Sequence, residues 1–219
     1  MQSEKELRLG YWSAIAVVVW VTLFAVELVW YLIAPSAAAN NVSYIVCLLL
    51  APSYVTMIAC VPGVAVEGRR TFTRAALALA TMYGVLCASV YYLQLSVLRL
   101  GTYPASADAL SILRFTPGSP AFALDMLGYT FLCLSVFALV PTTTGRGAEK
   151  VLKVFCVING VLAVPTLVFP ALRLSQSGTG ASDSFGCLVL LLWCVLFLPI
   201  PIIYTRLFRQ KRSAGAVSG

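Results

Sequence analysis

The chain has 219 residues, 60% of them hydrophobic and only 11% charged, with a formal net charge of +7 and a mean hydropathy of +0.92. A soluble domain is about half apolar and about a quarter charged, so a water-soluble globule is excluded. Six apolar stretches of about 22 residues consume most of the chain and leave no room for a separate aqueous domain, so one transmembrane domain is expected over residues 1–219.

The expected spans, in chain order, are residues 11–33, 43–66, 75–100, 121–141, 151–172 and 185–205. Each is long enough to cross about 30 Å of hydrocarbon at about 1.5 Å per residue. Lipid offers the backbone no hydrogen-bond partner, so helix is expected even where β-branched residues cluster, as at Val17-Val18-Val19. The fold class is all-α, a polytopic transmembrane bundle of six helices.

Span one contains Glu27 but also 12 Leu, Ile, Phe or Val residues. Each of these favours insertion by roughly 0.3 to 0.6 kcal/mol against roughly 3 for a central acid, and the sum favours insertion. A cleaved signal peptide is the competing reading, since Lys5 and Arg8 precede the stretch and Ala37-Ala38-Ala39 follows it. The stretch is longer than the apolar core of about 7 to 15 residues in such peptides. At the lip of span two, Asn41-Val42-Ser43 fits the glycosylation pattern but leaves a transferase little access.

Further along, Pro52 and Pro62-Gly63 in span two, Pro165 and Pro170 in span five, and Pro199 with Pro201 in span six each remove a backbone donor, so kinks are expected there. Ala76, Ala80, Gly84 and Ala88 form a stripe of small side chains that allows close approach, which makes span three the expected central helix and puts Tyr92 and Gln94 near the interior. The connection 101–120 carries the apolar stretch Ala109-Leu110-Ser111-Ile112-Leu113, expected as a short helix on the membrane surface. In span five, Asn159-Gly160 is placed to hydrogen-bond across helices, chiefly for packing. The two three-span halves show no inverted repeat, because Glu27 falls late in its span and Asp125 early.

Lys and Arg partition between alternate connections. Twelve of the fifteen lie at the N-terminus, around Arg69 to Arg74, around Arg146 to Lys153 and in the tail Arg206 to Arg212; the others are Arg99, Arg114 and Arg173. The positive-inside rule therefore places both termini in the cytoplasm, with the chain expected in the plasma membrane. The basic excess is spread over short flanking loops, so nucleic acid is not an expected partner. The tail could attract anionic lipid, although fixing topology accounts for it.

All seven cysteines lie within spans, are odd in number, form no C-x-x-C pair and have no histidine for company. No disulfide framework, metal site or cofactor is expected. The absence of histidine also removes the Ser-His and Cys-His nucleophile arrangements, and Gly178-Thr179-Gly180 lacks the rest of any phosphate-binding motif.

Counting from the outer helix ends, Glu27, Gln94 and Asp125 all fall about 6 to 9 Å below the boundary. Tyr31 follows Glu27 at i+4, Tyr129 follows Asp125 at i+4, and Tyr91 precedes Gln94 at i−3, so each pair shares a helix side. An acid facing lipid is expensive, so these carboxyls are expected to point inward, with Arg99 or Arg114 to neutralise one of them. The candidate ligand- or ion-binding set is Glu27, Asp125, Gln94, Arg99, Tyr91 and Tyr129; its competitor is an internal ion-pair network that fixes helix register.

The runs Tyr91-Tyr92-Leu93-Gln94-Leu95 and Leu124-Asp125-Met126-Leu127-Gly128-Tyr129 resemble uncharacterised six-span prokaryotic membrane proteins. That resemblance implies the span count and transfers no activity. The leading functional expectation is binding or translocation of a small solute, ion or proton through an outer-leaflet polar pocket. A non-catalytic membrane subunit or sensor, with a protein partner or a second copy on a lateral helix face, is the alternative. Lipid enzymology with Asp125 or Glu27 as general base is third, and the missing histidine and metal cluster count against it.

Overall fold

The computed structural model describes residues 4–99, 110, 112–171 and 181–217. Seven long helices follow one another: α1 (Glu4–Ile33), α2 (Ala37–Cys60), α3 (Arg70–Leu93), α4 (Pro120–Ala138), α5 (Ala148–Ala171), α6 (Ala181–Phe197) and α7 (Pro199–Val217). Together they provide six segments long and apolar enough to cross a membrane, the last formed by α6 and α7 in tandem. Large apolar side chains stand exposed along these segments, among them Val26, Val85, Val161 and Val195 at more than 60%. Water would not tolerate such a surface and lipid does, so the protein is a multi-pass membrane protein.

Helix ends differ from the expected spans for identifiable reasons. Among the described residues α1 already runs from Glu4, ahead of the expected span, because this polar stretch is built of good helix formers and carries Glu4 and Glu6 near the positive end of the helix dipole. Span two stops as α-helix at Cys60 and passes into a 3-10 turn, Val61–Gly63, where Pro62 lacks a donor. The break in span six falls at Leu198, before Pro199, and α7 then runs well past residue 205 through the basic tail, with Phe208 still buried. Pro52, Pro165 and Pro170 lie inside continuous helices rather than at breaks. α4 starts sharply: Ser119 Oγ accepts from Phe122 N at 3.1 Å and Pro120 occupies the first turn. In the expected surface helix Ala109–Leu113, residues 110, 112 and 113 are helical and Arg114 N donates to Leu110 O at 3.2 Å; residues 109 and 111 lie outside the described residues, as does Arg173.

The helices pack in chain order around a closed ring. α1 lies on α2, α2 on α3, α3 on α4 and α4 on α5; α5 then meets α6 and α7, which return to α1. Span three therefore has two main neighbours like the others, which corrects the expectation that it is central. Its small residues serve both sides: Ala76 and Ala80 are fully buried, the Ala76 carbonyl accepts from Ser135 Oγ of α4 at 2.7 Å, and Gly84 faces Val55 of α2. Tyr92, also expected inside, is 61% exposed.

Aromatic rings fill the middle of the ring of helices. Tyr54, Tyr83, Tyr129, Trp193 and Phe197, from α2, α3, α4 and α6, touch in a closed circuit with centroid separations of 5.7, 6.0, 5.3, 4.9 and 5.8 Å. Tyr54 donates to Ser135 Oγ at 3.0 Å, which ties the circuit to the Ala76 carbonyl. Asn159 is wholly buried and donates to Phe155 O at 2.9 Å and to Leu196 O at 3.0 Å, just ahead of the Leu198 break. It does the cross-helix packing expected of it.

Both chain ends lie on one face. Gly10 meets Phe208 and Cys60, and Arg212 sits over the Tyr11 ring at 5.9 Å. A Cβ on Gly10 would come within 2.6 Å of the buried Phe208 ring and 2.8 Å of Cys60 Cβ, whereas one on Gly186 would meet nothing. Gly10→Ala is expected to lower stability by about 1 to 3 kcal/mol, read as a lower unfolding temperature in detergent, with Gly186→Ala close to neutral.

Candidate functional site

Asp125 lies on the buried stripe of α4, which runs through Ala121, Gly128, Leu132 and Val136 at helical spacing. That phase aims the carboxyl into the bundle, and the residue is 1% exposed. Around it stand side chains from two other helices. Cys87 and Tyr91 of α3 interact with the carboxyl directly, and Tyr44 and Cys47 of α2 and Tyr83 of α3 lie within its electrostatic reach. The Cys87 thiol also donates to the Asp125 main-chain carbonyl at 3.8 Å. Tyr91 donates to Tyr129 Oη across a long 3.4 Å.

Gly128 lets α3 and α4 come this close, since a Cβ there would sit 2.5 Å from Cys87 Sγ. Asp125 Oδ1 has no hydrogen-bond partner.

Two aromatic layers enclose the carboxyl. On one side is the central circuit, through Tyr83 and Tyr129. On the other, toward the far face from the chain ends, Tyr44 stacks on Tyr91 at 5.8 Å, and Phe115 meets Tyr44, Tyr91 and Phe122 at 6.1, 6.3 and 5.6 Å.

Gln94 holds this second layer in place. α3 widens after Leu93 into a π turn, Gln94–Leu98, closed by Arg99 N donating to Gln94 O at 3.1 Å. Gln94 is buried there, donating to Leu113 O at 2.6 Å and accepting from Phe115 N at 3.2 Å. Its amide is used up on the backbone of the connection that carries Phe115, so it positions the aromatic layer.

Glu27 occupies the buried stripe of α1 and is 3% exposed. Ser43 of α2 interacts with its carboxyl, and Oε2 has no partner. Neither acid is among the groups that act on the other, but Tyr44 feels both. Tyr44 thus lies within the electrostatic reach of both carboxyls.

Arg99 does not join them. It is exposed at the end of the π turn, Arg114 is exposed too, and among the described residues no ion pair joins either to an acid. A long cationic side chain at a helix end reaches the polar boundary at less cost than it enters a dry interior.

Of the expected set, Asp125, Tyr91 and Tyr129 come together, Gln94 supports them from behind, Glu27 is buried on α1 beside Ser43 and Arg99 is outside. Sequence reasoning missed Tyr44, Cys47, Cys87 and Phe115. The i+3 spacing of Tyr44 to Cys47 and the i+4 spacing of Cys87 to Tyr91 carried the signal for three of these. All seven cysteines are buried and none forms a disulfide, and among the described residues no group of His, Cys, Asp and Glu is arranged to hold a metal ion. Neither a family model nor a curated protein nor a solved structure matches the chain.

Replacing Gln94 by Leu leaves the Phe115 N–H and the Leu113 carbonyl without their partner. The expected cost is about 1 to 3 kcal/mol, with faster amide hydrogen exchange at Phe115 and no comparable change at Ala76 in α3.

Proposed function

We propose that this protein binds a proton or small cation at Asp125 within the bilayer, and passes it toward the far face by way of Tyr44 and Glu27. The reading rests on one observation: a buried carboxyl with an unpartnered oxygen and, among the described residues, no cationic side chain facing it. An ionised carboxylate in a dry interior is costly without a counter-charge. A proton or a small cation supplies that charge with least disturbance to the closely packed rings on either side.

The Tyr91 hydroxyl and the Cys87 thiol border the carboxyl; each gives its proton elsewhere, to Tyr129 Oη and to the Asp125 main-chain carbonyl, and rotation about the C–O or C–S bond would turn it to an ionised carboxylate. Glu27 is the second ionisable station, nearer α1 and Ser43. We further propose that the protein sits in the plasma membrane with both termini cytoplasmic, the orientation that keeps twelve of its fifteen Lys and Arg residues inside.

A second reading, a non-catalytic membrane subunit that works through a protein partner, is favoured by the way Gln94, Asn159 and Ser135 spend their polar groups on the backbone of neighbouring segments. Such bonds fix register and leave little for a ligand.

The test uses the protein in lipid nanodiscs, with infrared difference spectra between acid and alkaline pH. The wild type is expected to show the carbonyl-stretch change of a carboxyl gaining its proton. Asp125→Asn removes that change, and Glu27→Gln leaves it in place while slowing proton flux into liposomes. A folded Asp125→Asn protein with an unaltered spectrum and unaltered flux would overturn the reading and favour the subunit.

A further inference from the structure

A second polar site lies at the opposite end of the bundle, on the face of the chain ends. The connection after α2 meets the connection after α4 there, joined by Val66 N donating to Thr142 O at 3.0 Å. Between these connections, the start of α5 and the side of α7 is a recess of about 10 Å³, room for about one water-sized body. Its polar lining is supplied by Thr142, Thr143, Glu149 and Tyr204, and every one of those side-chain polar atoms is oxygen.

The state of each oxygen decides what fits. Thr142 gives its hydroxyl proton to Leu139 O at 2.6 Å and Thr143 gives its own to Val140 O at 3.3 Å, so both turn lone pairs outward. Glu149 Oε2 accepts from Thr144 N and from Thr144 Oγ1, which leaves Oε1 uncommitted. Tyr204 is 1% exposed and its hydroxyl has no hydrogen-bond partner, with Thr142 beside it.

The lining thus holds one negative charge, several lone pairs and no cationic side chain. The α2 and α4 segments also end here, turning the negative ends of their dipoles toward the recess, while the opposing N-terminus of α5 carries Glu149 itself. Hard oxygen donors with a single negative charge select a hard monovalent cation.

We infer that this recess binds one alkali-metal cation, which fastens the two connections to α7 through Glu149 and Tyr204. The inference is independent of Asp125, which lies in the other aromatic-bounded layer. Occupancy stabilises the folded state by mass action, so the unfolding temperature depends on which cation is present.

The experiment measures thermal unfolding in nanodiscs of zwitterionic lipid, titrating sodium or potassium chloride against choline chloride at constant ionic strength. The expected result is a saturable rise in unfolding temperature with sodium or potassium. In the Asp125→Asn background, which removes the other proposed cation site, Glu149→Gln abolishes the rise, and Tyr204→Phe, which keeps the ring, shifts its midpoint to at least about tenfold higher cation concentration. Asp125→Asn alone retains the rise, which separates this site from the proposed function. Identical unfolding in all three salts would mean that the recess holds solvent water only and would overturn the inference, as would a cation effect that survives Tyr204→Phe unchanged. If Glu149→Gln does not fold, the wild-type titration and Tyr204→Phe decide the matter.

Discussion

A carboxyl in hydrocarbon needs either a counter-charge or a partner for each of its lone pairs, and the bundle is organised around one that has neither in full. Asp125 is delivered to the interior by the helical phase of α4, so it cannot reach headgroups or water without unwinding the first turns of that helix. The arginines nearest in sequence to the outer boundary stay outside. What remains around the carboxyl is neutral: the Tyr91 hydroxyl and Cys87 thiol of α3 beside it, with Tyr44 and Cys47 of α2 within its electrostatic reach.

The ring of helices and the aromatic layers follow from the same constraint. Six spans around a circle would leave a central gap, and the five-ring circuit of Tyr54, Tyr83, Tyr129, Trp193 and Phe197 fills it. Tyrosine suits this position because its body packs like phenylalanine while its hydroxyl can find a neighbour. Tyr54 finds Ser135; Tyr83 finds no hydrogen-bond partner. On the far side the layer of Tyr44, Tyr91, Phe115 and Phe122 depends on the π turn at Gln94, because only there does the amide reach the backbone of residues 113 and 115. Local backbone geometry in α3 is thereby linked to the seal over a carboxyl on α4.

Much of this was legible in the sequence, for reasons that differ by residue. The spans were visible because lipid forces helix on any long apolar run, and their ends drifted where charged but helix-favouring residues prolong a helix, as in Glu4 to Arg8 and Arg206 to Arg212. The meeting of Asp125, Tyr91 and Tyr129 could be found by counting depth. Arg99 could not be placed, since charge attraction argues inward and the freedom of a long side chain argues outward, and only the π turn decides between them. Cys47 and Cys87 read as ordinary packing residues because nothing in a single chain says which helix faces which. Gln94 was seen at the right depth with the wrong role: its partners are backbone groups in a connection whose path no residue pattern reveals.

The central claim is that Asp125 is held in a water-free shell, and its two neighbouring thiols report on that directly. Cys47 and Cys87 border the carboxyl and are buried and free. Exposing the folded protein in nanodiscs to a charged, water-soluble thiol reagent and locating the labels by mass spectrometry measures whether water reaches the site. The account predicts no modification of either cysteine until the protein is unfolded. Rapid labelling of both in the folded protein would show an aqueous cavity beside Asp125 and would contradict it.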